Sequence, residues 1–350
     1  WGAVAGAGGA AGVLLGGVLT SGLSWRWVLF VNVPIGLASA LVAPRILRES
    51  RVESEHRTFD IPGALSITAG LALLVYAVVE AVNVGWGSAR TLIELGGAAA
   101  LVAAFVAIER RAREPLMPFS IFRLRTLRGA DIVALLIGMS LFSMFFFISL
   151  YMQQVLHYSP LHAGVSYLPL AAGIILAAGA ASVAVTRLGF KPTLLTGMLL
   201  VAGALFWFSK ASTTGGSFTA DILGPSLLAA FGLGLSFVSV TIAAVTGTKP
   251  DEAGLASGLV NTAQQVGGAL GLAILATVAN SRTHEVLRSG HHPLSYALTK
   301  GFERAFLVGS GFAIVGAVLT ILLISSRDSR DQSLAARGVQ ATAETAAAAA

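Results

Sequence analysis

The chain alternates between long apolar stretches and short charged connections. Ten apolar stretches run over residues 1–21, 27–46, 61–82, 91–108, 129–152, 161–186, 192–209, 220–245, 254–279 and 304–325. As helices, each is long enough to cross the roughly 30 Å hydrocarbon core of a bilayer. A segment in lipid must satisfy its backbone groups internally, which leaves only helices and closed barrels. Barrel strands would be nearer ten residues and strictly alternating. The pattern therefore predicts an all-α integral membrane protein with ten transmembrane helices.

Composition agrees. Of 350 residues, 55% are apolar and 11% are charged, against about 45–50% and about 25% in soluble domains, which excludes a water-soluble globule. The 40 glycines sit mostly inside the apolar runs, as bilayer helices tolerate. A net charge of +6 would suggest nucleic-acid binding in a soluble chain, but here the charges belong to membrane loops and nucleic acid is not an expected partner. With no cysteine, there is no thiol nucleophile, thiolate metal site or disulfide framework.

Other apparent motifs lack their context. Gly6-Ala7-Gly8-Gly9-Ala10-Ala11 satisfies a dinucleotide-binding pattern, yet no strand precedes it and the apolar run continues through Leu14, Leu15, Val18 and Leu19. His284, His291 and His292 lie in a polar connection without helical metal-ligand spacing. No catalytic pair shares one bilayer depth. The sequence thus predicts no enzyme, cofactor or metal.

The basic residues divide unevenly between alternate connections. Arg45, Arg48, Arg51, Arg57, Arg110, Arg111, Arg113, Arg123, Arg125, Arg128, Arg187, Lys191, Lys249, Arg327, Arg330 and Arg337 fall on one side, sixteen of the 23. Arg26, Arg90, Lys210, Arg282, Arg288, Lys300 and Arg304 fall on the other. The positive-inside rule puts the first set in the cytoplasm. The Ala-rich segment 326–350 is then expected to be a disordered cytoplasmic tail.

In the first span Gly8, Gly12 and Gly16 recur every four residues beside Gly17, leaving one helix face as bare backbone for close packing. The series Gly8-x-x-x-Gly12-Val13-x-x-Gly16-Gly17 resembles the antiporter signature in the fifth helix of drug:proton exporters of the major facilitator superfamily, with Val13 where the signature has proline. The run Trp25-Arg26-Trp27, Phe30, Asn32, Pro34, Ile35, Gly36 resembles the fourteen-helix branch of that family. Further likeness lies at Gln154, Ser159-Pro160, Ala163-Gly164 and Pro169. Arg187-x-Gly189-x-Lys191 resembles the second-half copy of the family's basic cytoplasmic loop, a gating element.

The resemblance implies a major facilitator fold whose ten spans are helices 5 to 14 of 14. Because the chain begins at Trp1, it reads as a piece of a longer protein with four helices before it. Residues 1–46 would close the N-terminal bundle, 47–60 and 109–128 would be cytoplasmic loops, 61–108 an inserted helix pair and 129–325 the C-terminal six-helix bundle. The implied activity is proton-coupled efflux of small hydrophobic or amphipathic compounds from the plasma membrane. A facilitator exporting one metabolite, or a non-transporting scaffold or sensor, shares most of these features. No oligomeric state follows.

Family placement makes the first and fourth helices of the bundle, 129–152 and 220–245, line the central cavity. They offer Phe142, Ser143, Phe146, Tyr151, Phe231 and Ser236. Asn261, Gln264 and Gln265 sit within two turns of the ninth span, where amides facing lipid would be costly, so buried polar roles are expected. Ionisable groups in spans are suspects for function; Glu80 and Asp131, near span ends, are the candidates for proton coupling.

Overall fold

The computed structural model describes residues 2–46, 60–112, 115–212, 216–249, 251–290 and 292–348. Among these every regular element is helical. Helix α1 covers Gly2–Gly22, and a second span is made of α2 (Arg26–Phe30) and α3 (Asn32–Ile46). A hairpin follows, α4 (Ile61–Val84) and α5 (Ala89–Glu109). Next come α6 (Arg125–Leu150), α7 (Pro160–Ser166), α8 (Leu168–Leu188), α9 (Phe190–Phe208) and α10 (Gly224–Val245). The last three are α11 (Ala253–Arg288), α12 (Leu294–Leu323) and α13 (Ser326–Ala348). Nine stretches of the described residues are long and apolar enough to cross a bilayer, and the expected first span is helical throughout α1.

Local sequence sets the ends of these helices. Asp60 caps α4 by accepting from the Gly63 N–H at 2.9 Å, with Pro62 in the first turn. Ser88 and Ser159 cap α5 and α7 in the same way, each at 3.2 Å, so orphan N–H groups gain side-chain acceptors. Gly85 (φ +101°) and Gly189 (φ +90°) terminate α4 and α8 in a conformation that disfavours other residues.

Helices α6 to α12 form one bundle with α6 packed on α10, α11 and α12, and with α9 against α10 and α12. Backbones touch at the seams. A Cβ added to Gly138 would collide with the Gln264 carbonyl, and one on Gly267 with the Leu135 carbonyl. Between α9 and α10, a Cβ on Gly232 would lie 2.7 Å from the Val201 nitrogen and 2.9 Å from the Gly197 carbonyl. Lipid tails are as apolar as leucine, so such close approach, and not hydrophobic burial, holds membrane helices together. Phe147, Phe208, Phe302 and Phe306 close one end of the bundle with ring centroids 5.2–6.1 Å apart. The α4–α5 hairpin leans on α11, and α1 leans on α7 and α8.

Three expectations need correction. The span expected at 161–186 is two helices, broken at Tyr167 ahead of Pro169, where the tertiary amide removes a backbone donor. Helix α11 runs to Arg288 and α12 begins at Leu294, well beyond the expected limits of 279 and 304. Asn280 to Glu285 lower the hydropathy, yet Ala279, Thr283 and Val286 stay buried on one face. A Cβ on Gly301 would strike the Thr283 hydroxyl and, at 2.6 Å, the Ala279 carbonyl. The hairpin therefore continues past the apolar zone. Finally, the expected disordered tail is helix α13, packed on α8 and α9. Its start is capped by Ser325, whose Oγ accepts from the Asp328 N–H at 3.2 Å, half of a capping box.

The seams yield a test. Gly267→Ala should cost about 1–3 kcal/mol or more through overpacking and lower the thermal midpoint of the detergent-solubilised protein. Gly258→Ala, where an added Cβ meets nothing within 4 Å, should leave it unchanged or slightly raised.

Candidate functional site

Helix α6 is open at two aromatic positions. Phe142 and Phe146 are 42% and 40% exposed, whereas Gly138 and Met139, buried against α11, separate them from the half-buried Leu135 and Asp131 on the same side of the helix. Both carboxylate oxygens of Asp131 are sealed from solvent with no hydrogen-bond partner in the structure. On α10, Phe231 is 44% exposed. Three of the proposed lining aromatics thus remain accessible.

Other expected lining residues have different surroundings. Tyr151 is 3% exposed and its hydroxyl donates to the Ser212 carbonyl at 2.9 Å; it stitches a loop and does not line an opening. It also begins a π-helical turn, Tyr151–Val155, that ends the α6 span. Ser236 is fully buried in the α9–α10 seam, and its Oγ would lie 2.5 Å from a Cβ on Gly197. Ser143 is also buried, its Oγ without a partner.

The three amides are not buried as a group. Gln264 is half-buried, whereas Asn261 and Gln265 are exposed, because α4 stands off from α11 at this depth. A groove of about 750 Å³ separates the two helices, lined by Leu71, Val75, Tyr76 and Val79 on one wall and by Asn261, Gln265 and Val266 on the other. That volume falls in the range of small-molecule sites, roughly 300–1,000 Å³, and apolar walls with a few polar groups are their usual chemistry. The Tyr76 hydroxyl accepts from Arg90 at 2.7 Å, and Arg90 also reaches Glu94 at 2.9 Å. Farther along, the Trp86 indole donates to Thr277 at 3.1 Å, tying the α4–α5 turn to α11. This wall of α4 was not expected from the sequence, where a lone Tyr76 within an apolar run is its signal. Glu80 lies half-buried on the same helix.

The basic turn between α8 and α9 is held rather than free. Arg187 is exposed, Gly189 is buried, and Lys191 Nζ donates to the carbonyls of Ile321 and Ile324 at 2.8 and 2.7 Å. A cation capping a helix C-terminus in this way is favourable.

The contact surface of α1 differs from the expected glycine line. Added Cβ atoms at Gly8, Gly12 and Gly16 meet nothing within 4 Å, whereas one at Gly17 would lie 3.0 Å from the Pro160 carbonyl and 3.2 Å from Leu161 Cα. Gly164 approaches the Val13 carbonyl reciprocally, at 3.1 Å. The α1 seam with α7 and α8 therefore runs through Val13 and Gly17, one residue round the helix from the repeated glycines.

A glycine-seamed helical bundle with nine stretches long and apolar enough to cross a bilayer among its described residues defines a multi-pass membrane protein. The sequence model of the Major Facilitator Superfamily matches residues 1–272, and the chain belongs to that family. It is 40% identical over 324 residues to the cephamycin export protein CmcT of Amycolatopsis lactamdurans, covering 92% of this chain and 65% of that protein. It is 35% identical over 333 residues to the puromycin resistance protein pur8 of Streptomyces alboniger, covering 93% and 66%. With the tetracenomycin C resistance and export protein of Streptomyces glaucescens it shares 35% identity over 286 residues, 82% and 53% of the two chains. The chain thus spans about half to two thirds of the length of these relatives.

The α1 seam can be checked directly. In this chain by itself, Gly17→Leu should destabilise the packing of α1 by about 1–3 kcal/mol and lower the thermal midpoint, while Gly12→Leu, at a face that meets nothing within 4 Å here, should leave that midpoint unchanged.

Proposed function

We propose that this chain serves proton-coupled efflux of hydrophobic or amphipathic compounds across the plasma membrane, within a transporter of the fourteen-helix branch. The observation that carries this reading is helix α6. It holds accessible Phe142 and Phe146 and, nearer its start, Asp131, whose carboxylate is enclosed and unpartnered. Aromatic surface suits flat apolar cargo, and an enclosed carboxylate without a fixed partner suits proton exchange. The names of relatives as antibiotic resistance and export proteins support the same direction of transport.

In this reading residues 1–46 end the N-terminal bundle, 61–108 are the inserted pair, and 129–325 form the C-terminal bundle. The Gly8, Gly12 and Gly16 face is left for contact with helices of the first bundle. The arginine-dense loops face the cytoplasm, and with them the turn at Arg187, Gly189 and Lys191. Asn261 and Gln265, across the groove from Tyr76, give polar footing to cargo arriving from the bilayer. Asp131 is preferred to Glu80 as the proton-exchanging group, because it shares a helix with the aromatic residues and neither of its oxygens has a partner.

A second reading has its own support. Several relatives are named for single antibiotics, which fits export of one compound.

Efflux of ethidium from energised cells carrying the complete protein tests the main reading. A protonophore should abolish efflux, and Asp131→Asn should reduce it about tenfold or more at unchanged membrane abundance, the scale of losing one essential proton-transfer group. Efflux that ignores the proton gradient would refute the coupling. A panel in which only one compound is exported would favour the second reading.

A further inference from the structure

Helix α13 docks by a polar face. Ser329 and Ser333 are buried, the Gln332 Oε1 is enclosed without a partner, and the large apolar side chain of the first turns, Leu334, is 63% exposed on the opposite side. A helix that hides serines and displays leucine gains little from burial, because apolar area removed from water is what makes docking firm. Its hold is a set of polar stitches. The Thr126 hydroxyl at the start of α6 donates to Asp328 at 2.5 Å, and the Ser325 N–H donates back to Thr126 at 3.4 Å. The Lys191 N–H donates to the Ser329 hydroxyl at 3.0 Å. Arg337 donates to the carbonyls of Thr186 and Arg187 at the end of α8. Lys191 Nζ on Ile321 and Ile324, together with Arg125 on Leu322 at 2.6 Å, secures the end of α12 from which α13 departs.

The stitches from Ser329 and Arg337, with Lys191 Nζ, meet at the α8–α9 turn. Gly189 has φ +90° and lies so close to Ser329 that an added Cβ would collide with its hydroxyl and sit 2.7 Å from its carbonyl. The turn is therefore shaped to receive α13. We propose that α13 is a releasable clasp: docked, it locks the α8–α9 turn to the ends of α6 and α12, and released, it leaves that turn free to move against the bundle. Elements held by few apolar contacts and by partly or fully exposed hydrogen bonds open at lower cost than the core, which stays intact.

The test needs no transport, so its outcome is separate from that of the efflux reading. The chain has no cysteine, and Ser329→Cys therefore supplies a unique reporter in membranes, with Arg327→Cys, whose native side chain is 90% exposed, as the free reference. N-ethylmaleimide should modify the Ser329→Cys thiol about tenfold or more slowly than the reference, the protection expected of a docked but openable element. Adding Asp328→Ala, or Thr126→Val from the α6 side, should bring the rate to within about threefold of the reference. Neither residue touches the α8–α9 turn, so a rise of about fivefold or more in tryptic cleavage after Arg187 in these variants would report release of the turn itself. Three results would each overturn the proposal: no protection of the Ser329→Cys thiol, protection that survives loss of both Thr126 and Asp328 side chains, or deprotection with unchanged cleavage at Arg187.

Discussion

Two apolar helices in a bilayer gain nothing from hiding from one another, since lipid would solvate them equally well. What holds this bundle together is contact at the range of backbone atoms, and that requires positions with no side chain or a very small one. The seams of α6 with α11 at Gly138 and Gly267, and of α9 with α10 at Gly197 and Gly232, meet that condition. Such seams also fix helix rotation. Once Gly267 and Gly271 of α11 face Leu135 and Met139 of α6, the opposite side of α11, with Asn261 and Gln265, is turned toward α4. The location of the groove follows from where glycine permits contact elsewhere.

This explains what the sequence could and could not reveal. Span number and helical character depend on hydropathy summed over about 20 residues, a one-dimensional quantity, and all ten stretches appear as helices. Rotation about each helix axis is not one-dimensional. Gly8, Gly12 and Gly16 form the most regular small-residue line in the chain, yet the contact of α1 uses Gly17. Tyr151 and Ser236 look like lining residues by position alone, but their neighbours make one a loop stitch and the other a seam filler. The extensions of α11 and α12 and the whole of α13 were hidden for another reason. Helix persists there through capping and mutual packing, as at Ser325 and at Thr283 against Gly301, and polar residues conceal it from any measure of apolarity.

The uneven distribution of basic residues also has a structural expression. At the end of the bundle with seven basic residues, the ion pairs among described residues are short: Arg90–Glu94 at 2.9 Å, Arg282–Glu285 at 2.7 Å and Lys300–Glu303 at 2.9 Å. At the arginine-dense end the pairs are longer, Lys249–Glu252 at 4.0 Å and Arg327–Asp331 at 3.8 Å. There Arg125, Lys191 and Arg337 satisfy helix-terminal carbonyls instead. Carbonyl capping stabilises a helix end without cancelling the cation's charge. The positive excess that orients a membrane protein is thereby kept while the same residues do structural work.

Two enclosed carboxylates differ in their partners more than in their burial. Asp221, on the π-helical turn before α10, is buried, but each of its oxygens receives a backbone N–H, from Ser212 at 2.7 Å and from Ser217 at 2.8 Å. Ser212 and Ser217 flank the α9–α10 connection, so the carboxylate ties both sides of it to the start of α10. Asp131 is less buried overall, yet neither of its oxygens has a donor. A buried polar group in that condition costs free energy until a partner is supplied. The same arithmetic of donors makes Asp221 a fixed point of the bundle and leaves Asp131 as the carboxylate with no donor to hold it.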